Sequence, residues 1–329
     1  MASLLHDVRV DRGEDGVLVV RWSTQGDVAV DVAAGPSPVV TEHTSVASGT
    51  LATFVRLDGL GPARTYVSLM PAGGDTVVVA ERRVSFAGIT NLRDLGGYPA
   101  AGGGTTSWGR VFRADALHKL TEADLDTFGI LGVQTVFDLR GDVERTEFPG
   151  PVESVHVPIV GRPADAPAPA RPTDMTPEDG ERMLRDMYVG ILEHSAVPIG
   201  TILRSLADPD HVPAVFHCHG GKDRTGVVAA VLLLALGVDR ETVLDDYEAT
   251  RRYRRIEDQQ DSLANILASG VSPEAAVSVL GTPRWAMAAA VDAVDDVYGG
   301  IEAYVLGPVG LTPDELAALR ARLVDAPGA

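Results

Sequence analysis

One ten-residue segment, residues 217–226, constrains the fold of this chain more than any other. It reads HCHGGKDRTG and lies between an apolar run typical of a β-strand, residues 212–216, and a run typical of a helix, residues 227–236. It also holds the one cysteine of the 329-residue chain, Cys218. A loop that leads from a strand into a helix faces the unpaired N–H groups and the positive dipole end of that helix. We therefore expect an anion-binding loop that favours a thiolate.

The residue types in this loop suit the transfer of a phosphoryl group to sulfur. Gly220 and Gly221 let the backbone approach a phosphate closely, and the Arg224 guanidinium can bond two phosphoryl oxygens. Cys218 would attack phosphorus in line and form a cysteinyl-phosphate that water then hydrolyses. Thr225 is expected to donate its hydroxyl to the Cys218 sulfur. This chemistry needs no metal and no cofactor.

Further residues are expected to complete the site. His217 is predicted to orient the loop through its ring N–H, and the backbone amides from His219 to Arg224 to form the phosphate cradle. Lys222 would add a positive charge at the rim; the alternative is a solvated lysine. Downstream, residues 251–255 read RRYRR on a predicted helix. Such a run is usually a solvated face, and the alternative is substrate steering, for which Arg251 and Arg254 are the residues to test.

The pattern HCxxGKDRTG resembles the loop of atypical bacterial tyrosine and phosphoinositide phosphatases, within the cysteine-dependent tyrosine and dual-specificity phosphatases. Three upstream segments, residues 91–97, 111–113 and 136–140, look like the same family in the same order. The resemblance runs from about Phe86 to the C-terminus. It implies hydrolysis of phosphotyrosine, with phosphoserine, phosphothreonine and phosphoinositides as further substrates, and it assigns Lys222 to phosphoinositides. The upstream segments supply the supporting residues Asp94, Arg113 and Arg140.

Two residues remain open as the general acid. Many tyrosine phosphatases use the Asp of a WPD-type loop, a tripeptide that this chain lacks. Asp223 is the first candidate, because similar lipid phosphatases are thought to use a loop aspartate. Asp138 is the second, because it lies at the C-terminal end of a predicted strand; its alternative role is an ion pair with Arg140 or Arg113 that supports the site. Asp165 is a distant third.

Other interpretations of the loop fit less well. A nucleotide-binding P-loop needs Gly where Phe216 stands and Ser or Thr where Asp223 stands. A zinc site is disfavoured because consecutive residues such as His217, Cys218 and His219 cannot all point at one ion.

Two rival functions survive. One is a protein that binds phosphorylated ligands without turning them over, against which the intact Cys218 and Arg224 argue. The other is a sulfurtransferase of the rhodanese type, for which the residues around Lys222 are a poorer match.

Charge and length exclude some broad classes. The chain has 28 basic and 46 acidic residues and a net charge of −18, which argues against general binding to nucleic acid or anionic membranes. No signal peptide is recognised at the start, and the longest apolar run, residues 227–236, is too short to span a bilayer. A single cysteine cannot form an intrachain disulfide, as is typical of a cytoplasmic protein. Phosphorylated protein or phosphoinositide is the expected partner.

The chain divides into two predicted domains. Residues 1–85 contain short alternating strands between Gly, Pro and Asp turns and predict an all-β immunoglobulin-like sandwich. Trp22 and the stretch of residues 60–66 resemble fibronectin type III modules, whose tyrosine corner Tyr66 would supply; this domain would contact proteins or support the catalytic domain. Residues 86–329 predict an α/β phosphatase domain with a mostly parallel sheet flanked by helices and a flexible insertion at about 161–177.

Overall fold

The N-terminal part of the chain is all β. The computed structural model describes residues 4–13, 15–59, 64–163, 176–254, 259–268 and 271–326. The first strands are β1 (Leu5–Arg12), β2 (Leu18–Thr24), β3 (Val30–Gly35), β4 (Thr44–Thr50), β5 (Phe54–Leu57), β6 (Tyr66–Pro71) and β7 (Val77–Ala80). They form one antiparallel sheet in the order β1-β2-β5 and a second in the order β4-β3-β6-β7.

Alternate residues of both sheets meet in one apolar core. Val20 and Trp22 from the first sheet pack with Val30, Val32 and Leu69 from the second, and all five are buried. This is the period of two that a half-buried strand requires. The all-β N-terminal part and this shared core agree with the predicted sandwich. The residues 60–63 that begin the predicted tyrosine corner lie outside the described residues.

The second part of the chain is built on a mixed sheet. Its strands are β8 (Arg93–Asp94), β10 (Val111–Ala114), β11 (Thr135–Asp138), β12 (Val155–His156) and β13 (Ala214–His217). Their order is β12-β11-β13-β10-β8, parallel throughout except where β8 meets β10. A separate small sheet pairs β9 (Thr105–Thr106) with β14 (Val324–Asp325).

Helices cover both faces of this sheet, but unequally. They are α1 (Glu122–Ile130), α2 (Asp142–Glu147), α3 (Pro177–His194), α4 (Ala196–Ala207), α5 (Asp223–Ala235), α6 (Arg240–Tyr253), α7 (Gln260–Ala268), α8 (Pro273–Leu280), α9 (Arg284–Tyr298), α10 (Ile301–Leu306) and α11 (Pro313–Leu323). Phe112, Val136 and Val215 face α1, whereas Phe137 and Phe216 face the larger helical layer. None of the helices in the described part of the chain is long and apolar enough to cross a membrane.

Backbone hydrogen bonds join the two parts of the chain. Val84 N donates to Leu92 O at 3.2 Å, and Asp94 N donates to Arg82 O at 2.9 Å. The residues just before the predicted boundary at 85/86 therefore extend the β8 edge of the mixed sheet. Residues 164–175, most of the predicted flexible insertion and the site of Asp165, lie outside the described residues.

Candidate active site

The loop after β13 occupies the centre of the sheet edge. Strand β13 lies between β11 and β10, and α5 begins at Asp223, so residues 218–222 form the predicted strand-to-helix turn. This edge is the carboxyl end of the parallel strands, where α/β sheets bind ligands. The Cys218 side chain is 2% exposed and therefore lies at the base of the loop.

Buried donors hold the loop backbone from one side. Asn91 Nδ2 donates to Gly221 O at 3.0 Å and to Gly220 O at 3.3 Å, and Arg113 Nη2 donates to Gly221 O at 2.8 Å. Because the C=O and N–H of a trans peptide point in opposite directions, the next two amides, of Gly221 and Lys222, face away from these donors. Gly221 has φ +63° and a methyl group there would meet Ala114 O at 2.6 Å, so only glycine fits.

The Arg224 guanidinium is fixed by a carboxylate. Its Nη1 and Nη2 donate to the two oxygens of Glu144 at 2.5 and 2.8 Å. Burial would lower the pKa of Arg224, but the hydrogen bonds that Arg224 donates to Glu144, together with its electrostatic interaction with the nearby Cys218, outweigh burial and raise that pKa. Burial likewise works against the charge of Glu144, yet Arg224 holds its pKa below the usual value. Both groups are therefore charged at neutral pH.

Asp138 forms an ion pair with Arg140, which the sequence indicated as the alternative to a role as general acid. Arg140 Nε and Nη2 donate to its oxygens at 2.9 and 2.7 Å, and both side chains are buried. Burial raises the pKa of Asp138, but the hydrogen bonds that Arg140 donates to it outweigh burial and lower that pKa overall. His217 Nδ1 donates to Cys218 O at 3.2 Å, and its Nε2 lies 3.9 Å from Asp138 Oδ1. Burial lowers the pKa of His217, which keeps its ring neutral.

Asp223, the first residue of α5, contacts a hydroxyl and an ammonium. Tyr188 of α3 donates its hydroxyl to Asp223 Oδ1 at 2.6 Å, and Lys222 Nζ lies 3.3 Å from the same oxygen. The Asp223 side chain remains 31% exposed. Lys222 itself is buried, and its Nζ donates to the carbonyls of Val279 and Gly281 at 2.6 and 2.9 Å. The structure thus turns Lys222 toward the end of α8 rather than into solvent.

A buried charge network lies behind the loop. Asp246 of α6 accepts from Arg93 Nε at 3.0 Å and from Arg113 Nη1 at 2.5 Å. Burial, followed by the charge of Arg93, lowers the pKa of Arg113 to about 10. Arg113 therefore pairs with Asp246 and not with Asp138. The network connects α6 to the same guanidinium that holds Gly221.

Comparison with known proteins identifies the family. The profile of the tyrosine phosphatase family matches residues 84–325. The chain belongs to this family. A Cupriavidus necator protein, provisionally named a tyrosine-protein phosphatase, is 28% identical over 248 residues, which are 74% of this chain and 89% of that protein.

Two further relatives carry phosphatase names. The tyrosine-protein phosphatase of Nostoc commune is 27% identical over 221 residues, 64% of this chain and 73% of its own. The triple specificity protein phosphatase PtpB of Mycobacterium tuberculosis is 28% identical over 235 residues, 60% of this chain and 84% of its own. This chain is accordingly an enzyme of the tyrosine phosphatase family.

Aromatic rings line one side of the phosphatase loop. His118 stacks on Phe148 with ring centroids 5.1 Å apart, and His219 lies 5.9 and 6.2 Å from these two rings. Burial and the charge of Arg140 lower the pKa of His118 to about 4, and burial and Lys119 lower the pKa of His219. Both rings are therefore neutral at pH 7.

The remaining predicted residues of this phosphatase are placed as follows. Thr225 is buried, and its hydroxyl has no hydrogen-bond partner among the residues that the structure describes. Asp94 lies away from the loop, where it accepts from Gly96 N and Gly109 N at 2.7 and 2.8 Å and pairs with Arg64. Within the described ranges, no group of three or more His, Cys, Asp or Glu side chains could hold a metal ion.

Sequence reasoning missed three residues that hold this site. Glu144 lies in the first turn of α2, where acidic residues are common, so its sequence position does not indicate that it pairs with Arg224. Asn91 lies in the segment 91–97 that resembles the family, and Asp246 lies in a polar stretch a few residues before the arginine run at 251–255. A buried carboxylate or amide in a polar segment carries no local signal, because its partner is distant in sequence.

Proposed function

We propose that this enzyme is a metal-independent cysteine phosphatase that works through a cysteinyl-phosphate. The observation that carries the proposal is the Arg224–Glu144 pair, which fixes a guanidinium in the first turn of α5, directly after the short loop that begins with Cys218. In the first step the sulfur bonds to phosphorus while the bond from phosphorus to the leaving oxygen breaks. In the second step water attacks phosphorus, the P–S bond breaks, and inorganic phosphate leaves.

Arg224 and the loop amides would stabilise the transition state. Charge develops on the equatorial phosphoryl oxygens, and donors that are already fixed need no reorganisation when it does. The carbonyls of Gly220 and Gly221 are bonded to Asn91, which leaves the following amides free for those oxygens. Glu144 spares Arg224 the entropic cost of being ordered by each substrate.

We assign the general acid to Asp223. Its carboxyl group is partly exposed next to the loop, whereas Asp138 is buried and accepts two hydrogen bonds from Arg140. A buried carboxylate held ionised by two hydrogen bonds from a guanidinium is a poor proton donor. Asp223 has a cation 3.3 Å away, Lys222 Nζ, but that ammonium already donates to two backbone carbonyls. Asp223 would protonate the leaving oxygen in the first step and accept a proton from the attacking water in the second. Asp138 would instead keep His217 in place beneath the loop.

Thr225 supports the same mechanism. A buried hydroxyl without a partner is costly, and such groups often mark a catalytic role. We propose that it donates to the Cys218 sulfur when that sulfur is the leaving group.

Phosphotyrosine is the proposed preferred substrate. The rings of His118, Phe148 and His219 offer an aromatic surface beside the loop, which suits the flat ring of tyrosine better than a short serine side chain. Phosphoserine, phosphothreonine and phosphoinositides remain proposed further substrates, in keeping with the triple specificity in the name of one relative. For Lys222 to bind a phosphoinositide, its ammonium would have to exchange the carbonyl of Val279 or Gly281 for a phosphate oxygen.

One assay tests the proposal against its rivals. Hydrolysis of p-nitrophenyl phosphate is measured with a metal chelator present, for the wild-type chain and for Cys218→Ser. We expect turnover that the chelator leaves intact and that Cys218→Ser abolishes. Turnover of thiosulfate instead would favour the sulfurtransferase, and tight phosphopeptide binding without hydrolysis would favour the pure binding protein.

We propose that the N-terminal sandwich is of the fibronectin type III kind and that the enzyme is cytoplasmic. The fold type is supported by the seven described strands, which form sheets of three and four, and by Trp22, which is buried on β2. The location is supported by the single cysteine, Cys218.

A further inference from the structure

Arg254, the residue after α6, lies against the phosphate loop. A methyl group on Gly220 would be 2.9 Å from Arg254 Nη1 and 3.1 Å from its Cζ, so the guanidinium packs on the loop backbone. The carbonyl side of Gly220 is already occupied by the buried Asn91. Arg254 is partly exposed and therefore approaches the loop from its accessible side.

A second cation lies on the turn beside the same loop. Ala116 N donates to His219 O at 3.1 Å, which ties the turn Leu117–Lys119 to the loop. Lys119 at the end of this turn is exposed. Burial lowers the pKa of His219, and the positive charges of Lys119, Arg254 and Arg224 lower it further. Lys119 and Arg254 therefore both act on the residue that follows Cys218.

These two cations differ from the other basic residues nearby. Arg251, the other half of the pair considered from the sequence, is 73% exposed and lies 3.6 Å from Glu248. Arg284 and Arg240 likewise pair with carboxylates. Within the described ranges, neither Lys119 nor Arg254 forms such a pair. In a chain of net charge −18, we take two cations beside a phosphate loop that pair with none of the described carboxylates as candidates to bind a ligand.

We propose that Arg254 and Lys119 form a subsite for a second anion, a phosphate or carboxylate on the residue next to phosphotyrosine in a peptide substrate. This subsite rests on the proposed function, because it assumes that a phosphotyrosine occupies the loop. A peptide is favoured over a phosphoinositide because His118 and Phe148 place an aromatic surface near His219. The phosphotyrosine ring of the peptide would pack on the rings of His118 and Phe148, while the anionic group of the neighbouring residue would reach Arg254 and Lys119.

Two peptides test the subsite. They share one sequence and one phosphotyrosine, and the adjacent residue is either glutamate or glutamine. For the full-length wild-type enzyme we expect kcat/KM for the glutamate peptide to be higher by about fivefold, the gain typical of a partly exposed ion pair. Arg254→Gln should bring this ratio close to one, and Arg254→Lys should restore part of it. Arg251→Gln is the matched control and should leave both the ratio and the activity unchanged.

The ratio separates substrate recognition from damage to the loop, because a misplaced loop slows both peptides equally. A wild-type ratio near one, or an unchanged ratio in Arg254→Gln, would overturn the subsite while leaving the phosphatase proposal intact. If Arg254→Gln leaves the peptide ratio unchanged but lowers hydrolysis of a soluble inositol bisphosphate, the second anion belongs to a headgroup and the peptide proposal is wrong. If the wild type hydrolyses nothing, the proposed function fails, and binding of both peptides to Cys218→Ser still decides the subsite.

Discussion

At the residue scale, the ion pair between Arg224 and Glu144 is expected to be needed for full catalytic activity. Glu144→Gln keeps the shape but removes the charge that orients the guanidinium, so Arg224 becomes free to adopt other rotamers. We expect kcat/KM for p-nitrophenyl phosphate to fall by about 10- to 100-fold, less than the roughly 100- to 1,000-fold that follows removal of a transition-state donor, because Arg224 is displaced but still present. Steady-state kinetics check this. Glu147→Gln, an exposed change on the same helix, is the control and should cost less than twofold.

The two candidate acids can be distinguished by the pH dependence of kcat. Asp223→Asn should remove the basic limb of the profile, because that limb reports the loss of the proton that the acid donates. Asp138→Asn should keep the limb but destabilise the protein by about 3 kcal/mol or more, because it leaves the buried Arg140 without a charged partner. A basic limb that survives in Asp223→Asn and disappears in Asp138→Asn would reverse the assignment.

At the element scale, Asp246 connects α6 to the sheet. Asp246→Asn would leave the fully buried Arg93 and Arg113 without a carboxylate, so we expect a loss of about 3–5 kcal/mol in the free energy of unfolding. Burial works against the charge of Asp246, but Arg93 and Arg113 hold its pKa well below the usual value. The contribution of Asp246 to the free energy of unfolding is therefore fully present at pH values above the pKa of aspartate in the unfolded chain, about 3.9. It is lost progressively as pH falls below that value.

Urea denaturation at pH 7 and at pH 3 checks this expectation. The difference between the wild type and Asp246→Asn should be large at pH 7 and smaller at pH 3. Asp245→Asn is the control: Asp245 is 70% exposed in its pair with Arg284, so the change should cost about 1 kcal/mol at most. Equal stability losses from the two substitutions would contradict the role given to the buried network.

Local signals explain which elements could be predicted. Thr121 lies three residues before Asp124, and Thr176 and Thr312 each precede a proline, which are sequence signals for a helix start. Helices α1, α3 and α11 begin at these positions, and each threonine side chain accepts a backbone hydrogen bond. The strand, loop and helix around Cys218 were also recognised. Strand β4 has no comparable signal in the sequence, because most of its side chains are exposed and apolar and polar residues do not alternate along it.

Long-range charge pairs could not be predicted in the same way. Arg224 and Glu144 are separated by 80 residues, and Arg93 and Asp246 by 153. Neither pair leaves a periodic pattern, because only the tertiary fold brings the partners together. Lys222 illustrates the same limit. The sequence predicted a positive charge at the rim of the loop, with a solvated lysine as the alternative, but the end of α8 comes close enough for two backbone carbonyls to accept hydrogen bonds from the ammonium.

At the scale of the whole molecule, Arg64 couples the N-terminal sandwich to the catalytic domain. Its Nη1 lies 2.5 Å from the buried Asp94, and its guanidinium carbon lies 4.9, 5.4 and 5.7 Å from the ring centroids of Tyr66, Trp108 and Phe112. Tyr66 belongs to the sandwich, and the other three belong to the catalytic part. One side chain therefore bridges both cores. The sandwich and the catalytic domain should then unfold together.

Arg64→Met tests this coupling, because methionine keeps part of the packing but leaves Asp94 buried without its charged partner. We expect the single calorimetric transition of the wild type to fall in temperature and to separate into two, since the buried ion pair that links the two cores is gone and mainly hydrogen bonds to the backbone remain between them. Arg21→Met is a suitable control, because Arg21 pairs with Asp11 on the surface of the sandwich, where both side chains are more than half exposed. It should leave one transition near the wild-type temperature. Two transitions already present in the wild type would mean that the sandwich is an independent module and that Arg64 joins two domains without coupling their stability.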